Sequence, residues 1–300
     1  MKIAITGGTG FIGRYVVRDL ISRGHEVVAI ARGAYTRNTQ PLDGATFVKA
    51  DINDTAALQS ALTGCDALAH LAGTSGDESQ SLEHVHVDGV RSAVSAAENA
   101  GVKKFVLVSY LTIRPNLNSA YHTTKWRGEE IVRASKLNYT ILKAGLIYGQ
   151  GDHTIHNLSN LFNKLPIFAT VGLREKTVRL VAVEDLTNVI SAVLLDRTRF
   201  TRQTLAVVGP EELTMSQVAR RIAKVMGKPF LIVLPFPVFA QRMLAWFSER
   251  FMPKPLITSS QVQMLADGVS QPLEGDELIP DDLAPKTMFT DEQIRKGLPK

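Results

Sequence analysis

Tyr121 and Lys125 stand four residues apart at the start of a predicted helix, a spacing that puts a phenol and an ammonium on one face. An unperturbed tyrosine has a pKa of about 10, so acid or base chemistry at neutral pH requires a shift of about 3 units. A nearby cation stabilises a phenolate, and Lys125 can therefore supply much of that shift. The pair predicts proton transfer in a cleft beside this helix.

A glycine-rich loop joins a predicted strand to a predicted helix within the first 13 residues. Gly7 permits a tight turn, Gly10 lets a pyrophosphate approach the backbone, and Gly13 allows helix and strand to pack closely. Unpaired N–H groups and the positive end of the helix dipole then face the anion. The strand before the loop and the helix after it predict a dinucleotide site.

Arg32 ends the second predicted strand, where the residue type separates NAD from NADP. An acidic residue at this place would bind the ribose hydroxyls of NAD, and no Asp or Glu follows until Asp43. An arginine can bind the additional phosphate of NADP through two hydrogen bonds, and Arg14 is placed to assist. We therefore expect NADP in preference to NAD, the other interpretation being a solvated arginine.

Other candidate groups carry weaker signals. Asp152, His153 and His156 follow the sixth predicted strand, but the sequence offers no further ligands, so we expect no metal site. Cys65 is the single cysteine and has no evident base beside it, which favours an inert thiol. An internal disulfide is impossible with one cysteine, and a reducing compartment is compatible with it.

Strands and helices alternate through the first half of the chain and position these groups. Such alternation predicts an α/β, Rossmann-like, doubly wound parallel sheet with helices on both faces. We expect an NAD(P)-binding domain over residues 1–150 and a smaller substrate lobe over residues 151–300, some segments of which return to the first domain. The predicted strands are 2–6, 26–31, 46–50, 67–70, 104–109 and 140–143, and the main predicted helices are 11–22, 55–62, 82–100 and 121–135.

The alternation is weaker after residue 150. We expect a loop-rich stretch over 150–175, a strand and helix over 179–195, a strand near Leu205 and a helix over 215–226. Residues 229–247 are strongly apolar, yet three prolines and Arg242 make a spanning helix too short. A buried strand followed by an amphipathic helix is the favoured interpretation of that stretch, and attachment to a membrane surface is the alternative. The acidic segment 275–285 is expected at the surface.

Composition describes an ordinary globular protein, with 45% hydrophobic and 21% charged residues. The formal net charge of +5 comes from scattered Lys and Arg residues with no basic stretch interleaved with aromatics, so nucleic-acid binding is not expected. The first strand begins at once, which leaves no room for a signal segment and favours a cytoplasmic location.

The motifs together resemble the short-chain dehydrogenase/reductase superfamily in its extended, atypical branch. The resemblance rests on the TGGTGFIG loop, Asp51-Ile52, the HLAG segment at 70–73, Ser109 ending a strand, Tyr121 with Lys125, and the VEDL segment at 183–186. Within the superfamily the chain looks most like the group containing the nucleotide-binding accessory subunit of respiratory complex I. A small-molecule substrate and a monomer or homodimer are then expected.

The resemblance also implies roles for individual residues. Tyr121 and Lys125 would lie beside the nicotinamide, Lys125 would bind its ribose, and Arg179 resembles a family arginine that can meet an anionic substrate, a structural ion pair being the alternative. The residues implied at the cofactor are Gly7, Thr9, Gly10, Phe11, Ile12, Gly13, Arg32, Asp51, Ile52, Leu71, Ala72, Gly73, Tyr121 and Lys125.

Three positions depart from the family pattern. The usual Ser or Thr beyond the fifth strand is Leu111, so Ser109 or Thr112 would have to polarise the substrate. The usual relay asparagine is His86, which could relay protons or be a satisfied polar residue. The usual Arg-Pro after the sixth strand is replaced by a Lys-Ala pair at 143–144.

The resemblance predicts an NADP-dependent oxidoreductase acting on a carbonyl, hydroxyl or activated double bond, with Tyr121 as acid or base. The alternatives are a non-catalytic NADPH-binding sensor or respiratory-complex assembly factor, and a nucleotide-sugar epimerase or dehydratase. A peripheral contact with a membrane or a respiratory complex is compatible with either class.

Overall fold

The computed structural model describes residues 1–33, 42–74, 82–117, 119–252, 258–268 and 271–299. The strands are β1 (Lys2–Thr6), β2 (Glu26–Ala31), β3 (Ala45–Lys49), β4 (Ala67–His70), β5 (Lys104–Tyr110), β6 (Tyr139–Ala144), β7 (Leu146–Tyr148), β8 (Ile167–Val171), β9 (Thr177–Ala182), β10 (Gln203–Val207), β11 (Glu212–Thr214), β12 (Ile232–Phe236) and β13 (Glu277–Leu278). The helices are α1 (Phe11–Ser22), α2 (Thr55–Leu62), α3 (Gly89–Asn99), α4 (Ala120–Ala134), α5 (His153–Lys164), α6 (Val183–Leu195), α7 (Met215–Val225), α8 (Val238–Phe251), α9 (Ser259–Asp267) and α10 (Asp291–Gly297), and a π-helical turn (His84–Asp88) precedes α3.

An eight-stranded sheet forms the centre of the molecule, in the order β13-β10-β6-β5-β4-β1-β2-β3. Every neighbouring pair in it is parallel. The direction in which strands are added reverses between β1 and β4, and parallel sheets bind ligands in the crevice beyond the carboxyl ends of the strands at such a point. The predicted fold class is confirmed, and the crevice falls beside the glycine loop.

Helices cover both faces of the sheet because each has one apolar stripe. On one face α1 packs against α6, with Val17 and Leu20 of α1 and Ile190 of α6 in one core cluster. On the other face α2 packs against α3 and α3 against α4, through side chains that include Leu58 and Val94. These two cores hold the first-domain strands and the helices that follow them in fixed positions.

Residues 150–175 are ordered secondary structure, and the expectation of a loop-rich stretch is wrong. They contain α5 and β8, the latter paired in parallel with β12. The Asp152 carboxylate caps α5 by accepting the Ile155 N–H at 2.7 Å. Ile155 and Phe162 are buried in the core of the second half. The two glycines at 149–151 led to the expectation of a loop, although the cap at Asp152 and the helical spacing of Ile155 and Phe162 are local signals of a helix.

The second half contributes to both a lobe and the central sheet. A three-stranded sheet β11-β9-β7 and a two-stranded sheet β12-β8 build the lobe, with α5, α7 and α10 packed together. In contrast, β10 and β13 extend the central sheet beyond β6. The expected surface segment 275–285 therefore carries an edge strand.

Residues 229–247 do not form the buried strand that we expected. Strand β12 exposes Ile232, Leu234 and Phe236, and the amphipathic helix α8 follows it. No helix of the described part of the chain is long and apolar enough to cross a membrane.

Candidate active site

The glycine loop after β1 forms a turn that side chains would obstruct. Gly7 has a φ of 69°, and a Cβ added to it would lie 2.8 Å from the Ala72 backbone nitrogen. A Cβ on Gly13 would lie 2.1 Å from the Gly7 carbonyl oxygen. The loop therefore requires glycine both for its backbone conformation and for the close approach of α1.

The start of α1 offers donors to an anion. Its N-cap residue is Gly10, which has no capping side chain, and the first turn carries no acidic residue. The first N–H groups of a helix have no partner within the helix, so they remain able to bind a phosphate. One turn into the helix, Arg14 Nε is buried without a hydrogen-bond partner among the described residues. This cradle fits a dinucleotide pyrophosphate by shape and charge.

The ends of β3 and β4 close the crevice on its other sides. Thr6 Oγ1 and His70 Nδ1 lie 3.0 Å apart and tie β1 to β4. The Asp51 carboxylate accepts hydrogen bonds from the backbone and side chain of Asn53, and these bonds hold its pKa below the usual value. Ile52 is buried beneath Gly89, where a Cβ would approach the Ile52 side chain to 2.5 Å. These segments line the edge where the adenine is expected.

Arg32 follows β2 with an exposed side chain. Its positive charge helps to lower the pKa of Asp51, which places the guanidinium near the end of β3. Arg14 lies elsewhere, with Nη2 against Gly151. The described contacts of the two arginines are with different segments, and the assistance of Arg14 to Arg32 stays a prediction.

Helix α4 carries Tyr121 and Lys125 toward the crevice. It packs on the π-helical turn, and a Cβ on Gly128 would lie 2.3 Å from the His86 carbonyl oxygen, so the two segments meet only with glycine there. Lys125 Nζ lies 5.8 Å from the centre of the Tyr121 ring. The structure thus brings the predicted pair together beside the ends of β4 and β5.

Burial, rather than the neighbouring cation, dominates the titration of this pair. It raises the pKa of Tyr121 above the usual value and lowers the pKa of Lys125 to about 8, against the attraction of Glu129. The Tyr121 hydroxyl is therefore neutral at pH 7. The expected lowering of its pKa by Lys125, together with the positive charge of an oxidised nicotinamide, stays a prediction.

A small cavity joins the strand ends to α4, and Ala72, His86, Ser109 and Lys125 are among its lining residues. His86 accepts a hydrogen bond from the Thr74 N–H at Nε2, and its Nδ1 lies 3.1 Å from Thr124 Oγ1. Burial lowers the pKa of His86 to about 2, so the ring is neutral. This geometry favours the interpretation of His86 as a satisfied polar residue that links the β4 loop to α4.

Ser109 is engaged with a buried acid that the sequence analysis did not identify. Its Oγ donates to Glu129 Oε1 at 2.5 Å, and Arg133 Nη2 donates to Glu129 Oε2 at 2.6 Å. Lys143 lies 3.7 Å from the same carboxylate and binds Asp276 at 3.1 Å. The sequence signal for this network is the four-residue spacing that places Lys125, Glu129 and Arg133 on one face of α4.

Thr112 differs from Ser109 in its surroundings. Leu111 is fully buried, and its backbone N–H donates to the Ala144 carbonyl at 2.9 Å. Thr112 Oγ1 is also buried, but it has no hydrogen-bond partner among the described residues. Of the two hydroxyls considered from the sequence, the one on Thr112 has no partner among the described residues and the one on Ser109 is committed to Glu129.

The remaining candidates are placed as follows. Asp152 is the cap of α5, while His153 and His156 are exposed on that helix. Arg179 forms no ion pair with a described residue, and its Nε is buried without a partner there. Burial raises the pKa of the Cys65 thiol to about 11. Within the described ranges, no group of three or more His, Cys, Asp or Glu side chains is arranged to hold a metal.

Sequence comparisons agree with the site's geometry. A family model described as NAD(P)H-binding matches residues 7–161. Ceramide reductase of Caulobacter vibrioides is 33% identical over 78% of this chain and 74% of its own length. The 40 kDa subunit of mitochondrial NADH-ubiquinone oxidoreductase from Neurospora crassa is 26% identical over 75% of this chain and 60% of its own.

An uncharacterized protein of Mycobacterium tuberculosis is 30% identical over 77% of this chain, but the match spans only 24% of that longer protein. Among solved structures, MoeE5 in complex with UDP-glucuronic acid and NAD superposes with a TM-score of 0.74 at 17% identity. The superposition covers 99% of this chain and 97% of that one. At that identity the likeness shows the fold.

Proposed function

The chain belongs to the NAD(P)H-binding family, with the extended short-chain dehydrogenase/reductase architecture, and we propose that it is an NADP-dependent oxidoreductase. The observation that carries the proposal is the meeting of three parts at one crevice: the glycine loop, the end of β4 and the Tyr121-Lys125 pair on α4. Each part suits a different portion of one dinucleotide. The proposed setting is the cytoplasm, which the single cysteine favours.

In the proposed mechanism the first domain, residues 1–150, holds the cofactor. The start of α1 binds the pyrophosphate, Arg32 binds the 2′-phosphate, and Asp51 and Ile52 lie by the adenine. Lys125 binds the ribose hydroxyls and orients the nicotinamide. Leu71, Ala72 and Gly73 form the wall along the cofactor. The bound NADPH supplies a hydride.

The chain's own contribution to chemistry is a proton and its placement. Tyr121, which burial keeps neutral, donates its hydroxyl proton to the substrate oxygen as the carbonyl is reduced. Thr112, with its unpaired buried hydroxyl, polarises that carbonyl. Ser109 positions α4 through Glu129 instead of touching the substrate.

The surroundings of Tyr121 favour a substrate with an apolar portion. Tyr110, Trp126, Met264 and Leu265 belong to the same cluster of apolar side chains as Tyr121. The name of the ceramide reductase relative describes action on a lipid, in keeping with such walls. We therefore propose that the second half, residues 151–300, receives a hydrophobic ketone, aldehyde or alcohol.

Turnover on a panel of carbonyl compounds tests this proposal. The protein is mixed with NADPH and ketones or aldehydes of increasing chain length, and the loss of nicotinamide absorbance is followed. We expect NADPH oxidation with long-chain substrates and a slower rate with short polar ones. No oxidation with any member of the panel would contradict the proposed activity.

A protein that binds NADPH without turnover is the second candidate. One observation favours it: the hydroxyl of Ser109 is committed to Glu129. The name of the Neurospora crassa relative describes a subunit of NADH-ubiquinone oxidoreductase, in keeping with a protein that acts within an assembly. Tight NADPH binding combined with no turnover on the panel would select this candidate.

A further inference from the structure

Helix α8 presents its large apolar side chains to the outside. The face that packs inward consists of Gln241, Ala245 and Ser248, and Gln241 Nε2 donates to the Thr170 carbonyl at 2.7 Å. On the outer face Phe239, Met243 and Trp246 are 69%, 68% and 63% exposed. A surface helix that is stabilised only by packing within its own protein directs its large apolar side chains toward the core instead.

Strand β12 continues the same surface. Ile232, Leu234 and Phe236 point outward, while Val233 packs against the core of the second half. The strand leads through Pro237 directly into α8, so the two elements present adjoining apolar faces. We define the apolar platform as six of the exposed apolar side chains of β12 and α8: Ile232, Leu234, Phe236, Phe239, Met243 and Trp246.

Apart from the indole N–H of Trp246, the platform side chains carry no hydrogen-bonding group. Every exposed side chain on β12 and α8 is either apolar or charged. Protein interfaces form about one hydrogen bond per 100–200 Å². A bilayer interior requires no such bonds, and Trp and Phe side chains beside cations are typical of helices that lie in a membrane surface.

Cations surround the platform. Arg242 and Arg250 are exposed on α8. Lys164 and Arg174 are exposed before and after β8, the strand that pairs with β12. None of the four forms an ion pair with a described residue. Anionic headgroups would attract each of these charges.

The two acids nearby are already satisfied. Glu249 accepts hydrogen bonds from the Ser259 backbone and hydroxyl at 2.7 Å. Glu175 accepts one from the Ser216 backbone at 2.9 Å. These hydrogen bonds come from neutral groups, so both carboxylates keep their negative charge. Because four cations surround the platform against these two acids, the charge around it is net positive.

We propose that the apolar platform docks on a bilayer containing anionic lipids, with its aromatic side chains among the acyl chains and its cations at the headgroups. The platform lies close to the candidate active site. Helix α9 packs on α8, and its Ser260 Oγ lies 3.4 Å from Ser119 Oγ at the start of α4, the helix that carries Tyr121. The proposal rests on the exposed side chains of β12 and α8 and the charges around them, so it does not depend on the proposed oxidoreductase activity.

Sedimentation of the full chain with vesicles tests the proposal. Vesicles of phosphatidylcholine with phosphatidylglycerol are compared with vesicles of phosphatidylcholine alone, at low and high salt. We expect binding to the anionic vesicles, weaker binding to the neutral ones, and release by salt. The fluorescence of Trp246 should shift to shorter wavelength on binding, and a Trp246→Phe variant should lose that shift.

Two variants locate the surface. Phe239→Ser with Trp246→Ser removes apolar contacts, and Arg242→Glu with Arg250→Glu reverses charge; each should lower the bound fraction by about tenfold or more. The matched controls are Leu278→Ser, an exposed leucine at the edge of the central sheet, and Arg91→Glu, an exposed arginine on α3. Both controls should bind vesicles like the wild type. All variants replace exposed side chains, and NADPH binding checks that each is folded.

Three outcomes would overturn the proposal. The wild type binds neither kind of vesicle, or the platform variants bind as well as the wild type. In the third, the wild type binds no vesicles and sedimentation velocity shows that it is a dimer, whereas the platform variants are monomers. That result would make this face an interface between two copies of the chain.

Discussion

The cofactor crevice and the substrate side of Tyr121 are built by different physical means. The crevice is made of backbone: glycines whose Cβ positions are filled, a helix start without a cap, and strand ends in one sheet. The substrate side is made of side chains from distant segments, including α4, α9 and the segment after β5. A backbone site tolerates little change in its own residues but leaves the other side free to vary. Of the three departures from the family pattern, Leu111 falls on that other side, His86 contacts the β4 loop of the crevice, and Lys143 belongs to the network around Glu129.

Replacing the proposed acid should affect only the substrate side. Tyr121→Phe removes the donor hydroxyl and is expected to lower kcat by about 10²- to 10⁴-fold. The dissociation constant of NADPH should change by less than about twofold, since the cofactor's phosphates bind elsewhere. Steady-state kinetics and a binding titration measure the two effects. Full activity in this variant would remove Tyr121 from the mechanism.

Obstructing the glycine loop should affect the cofactor side. In Gly13→Ala the new methyl group meets the Gly7 carbonyl, which must move from its place at the start of α1. Overpacking costs about 1–3 kcal/mol, so NADPH binding should weaken by up to about 100-fold. The control is Gly33→Ala, where a Cβ has open space. Equal affinities in the two variants would contradict the proposed cradle.

Arg32→Ala separates the two cofactors. If Arg32 binds the 2′-phosphate, its loss should raise the dissociation constant of NADPH by about 10- to 100-fold and leave that of NADH unchanged. Titrations with both nucleotides measure this ratio, with Arg91→Ala as a surface control. A preference for NADPH that survives the substitution would show that another residue recognises the phosphate.

Thr112 and Ser109 should respond differently to loss of the hydroxyl. Thr112→Val removes a proposed substrate contact and should lower kcat/KM by about tenfold. Ser109→Ala should leave turnover almost unchanged but destabilise the fold by about 1–3 kcal/mol, because a buried Glu129 oxygen loses its donor. Denaturant unfolding and kinetics distinguish the two. The opposite pattern would return the polarising role to Ser109.

The last expected effect is on acid stability. Burial lowers the pKa of His70 to about 4 and that of His86 to about 2, below the unfolded value of about 6.5. Between these pKa values the unfolded state binds more protons than the folded state. The contribution of each neutral histidine to the free energy of unfolding is therefore complete above pH 6.5, and it is lost as the pH falls from there to the folded pKa.

As the pH falls from 6 to 4, each histidine should lower the free energy of unfolding by about 1.4 kcal/mol per pH unit. A His86→Asn variant should lose one histidine's share of that slope when urea unfolding is measured across this range. An unchanged slope would mean that His86 is not buried as a neutral ring.

Local signals predicted the first half well. Strands β1 to β6 begin and end within one residue of the predicted bounds, because they are short apolar segments and β1, β3, β4 and β5 each lead into a helical segment. The glycine loop could also be predicted from local sequence, since Gly7, Gly10 and Gly13 lie within a few residues of one another between β1 and α1. The local cap of α5 was also present in the sequence, but the neighbouring glycines concealed it.

Contacts between distant segments could not be predicted. Lys143 meets Asp276 across 133 positions of chain, and Ser109 meets Glu129 from a separate element. Burial of β12 depends on whether another element covers it, which its apolar sequence does not state. The pKa of Tyr121 likewise depends on how fully the fold encloses the ring.

The most direct test of the account is a calorimetric titration of the wild-type chain with NADPH and with NADH. The account predicts saturable binding of one NADPH per chain, with NADH bound at least about tenfold more weakly because it lacks the phosphate that Arg32 would bind. No saturable NADPH binding would contradict the cofactor crevice itself. Equal affinity for the two nucleotides would contradict the assignment of NADP.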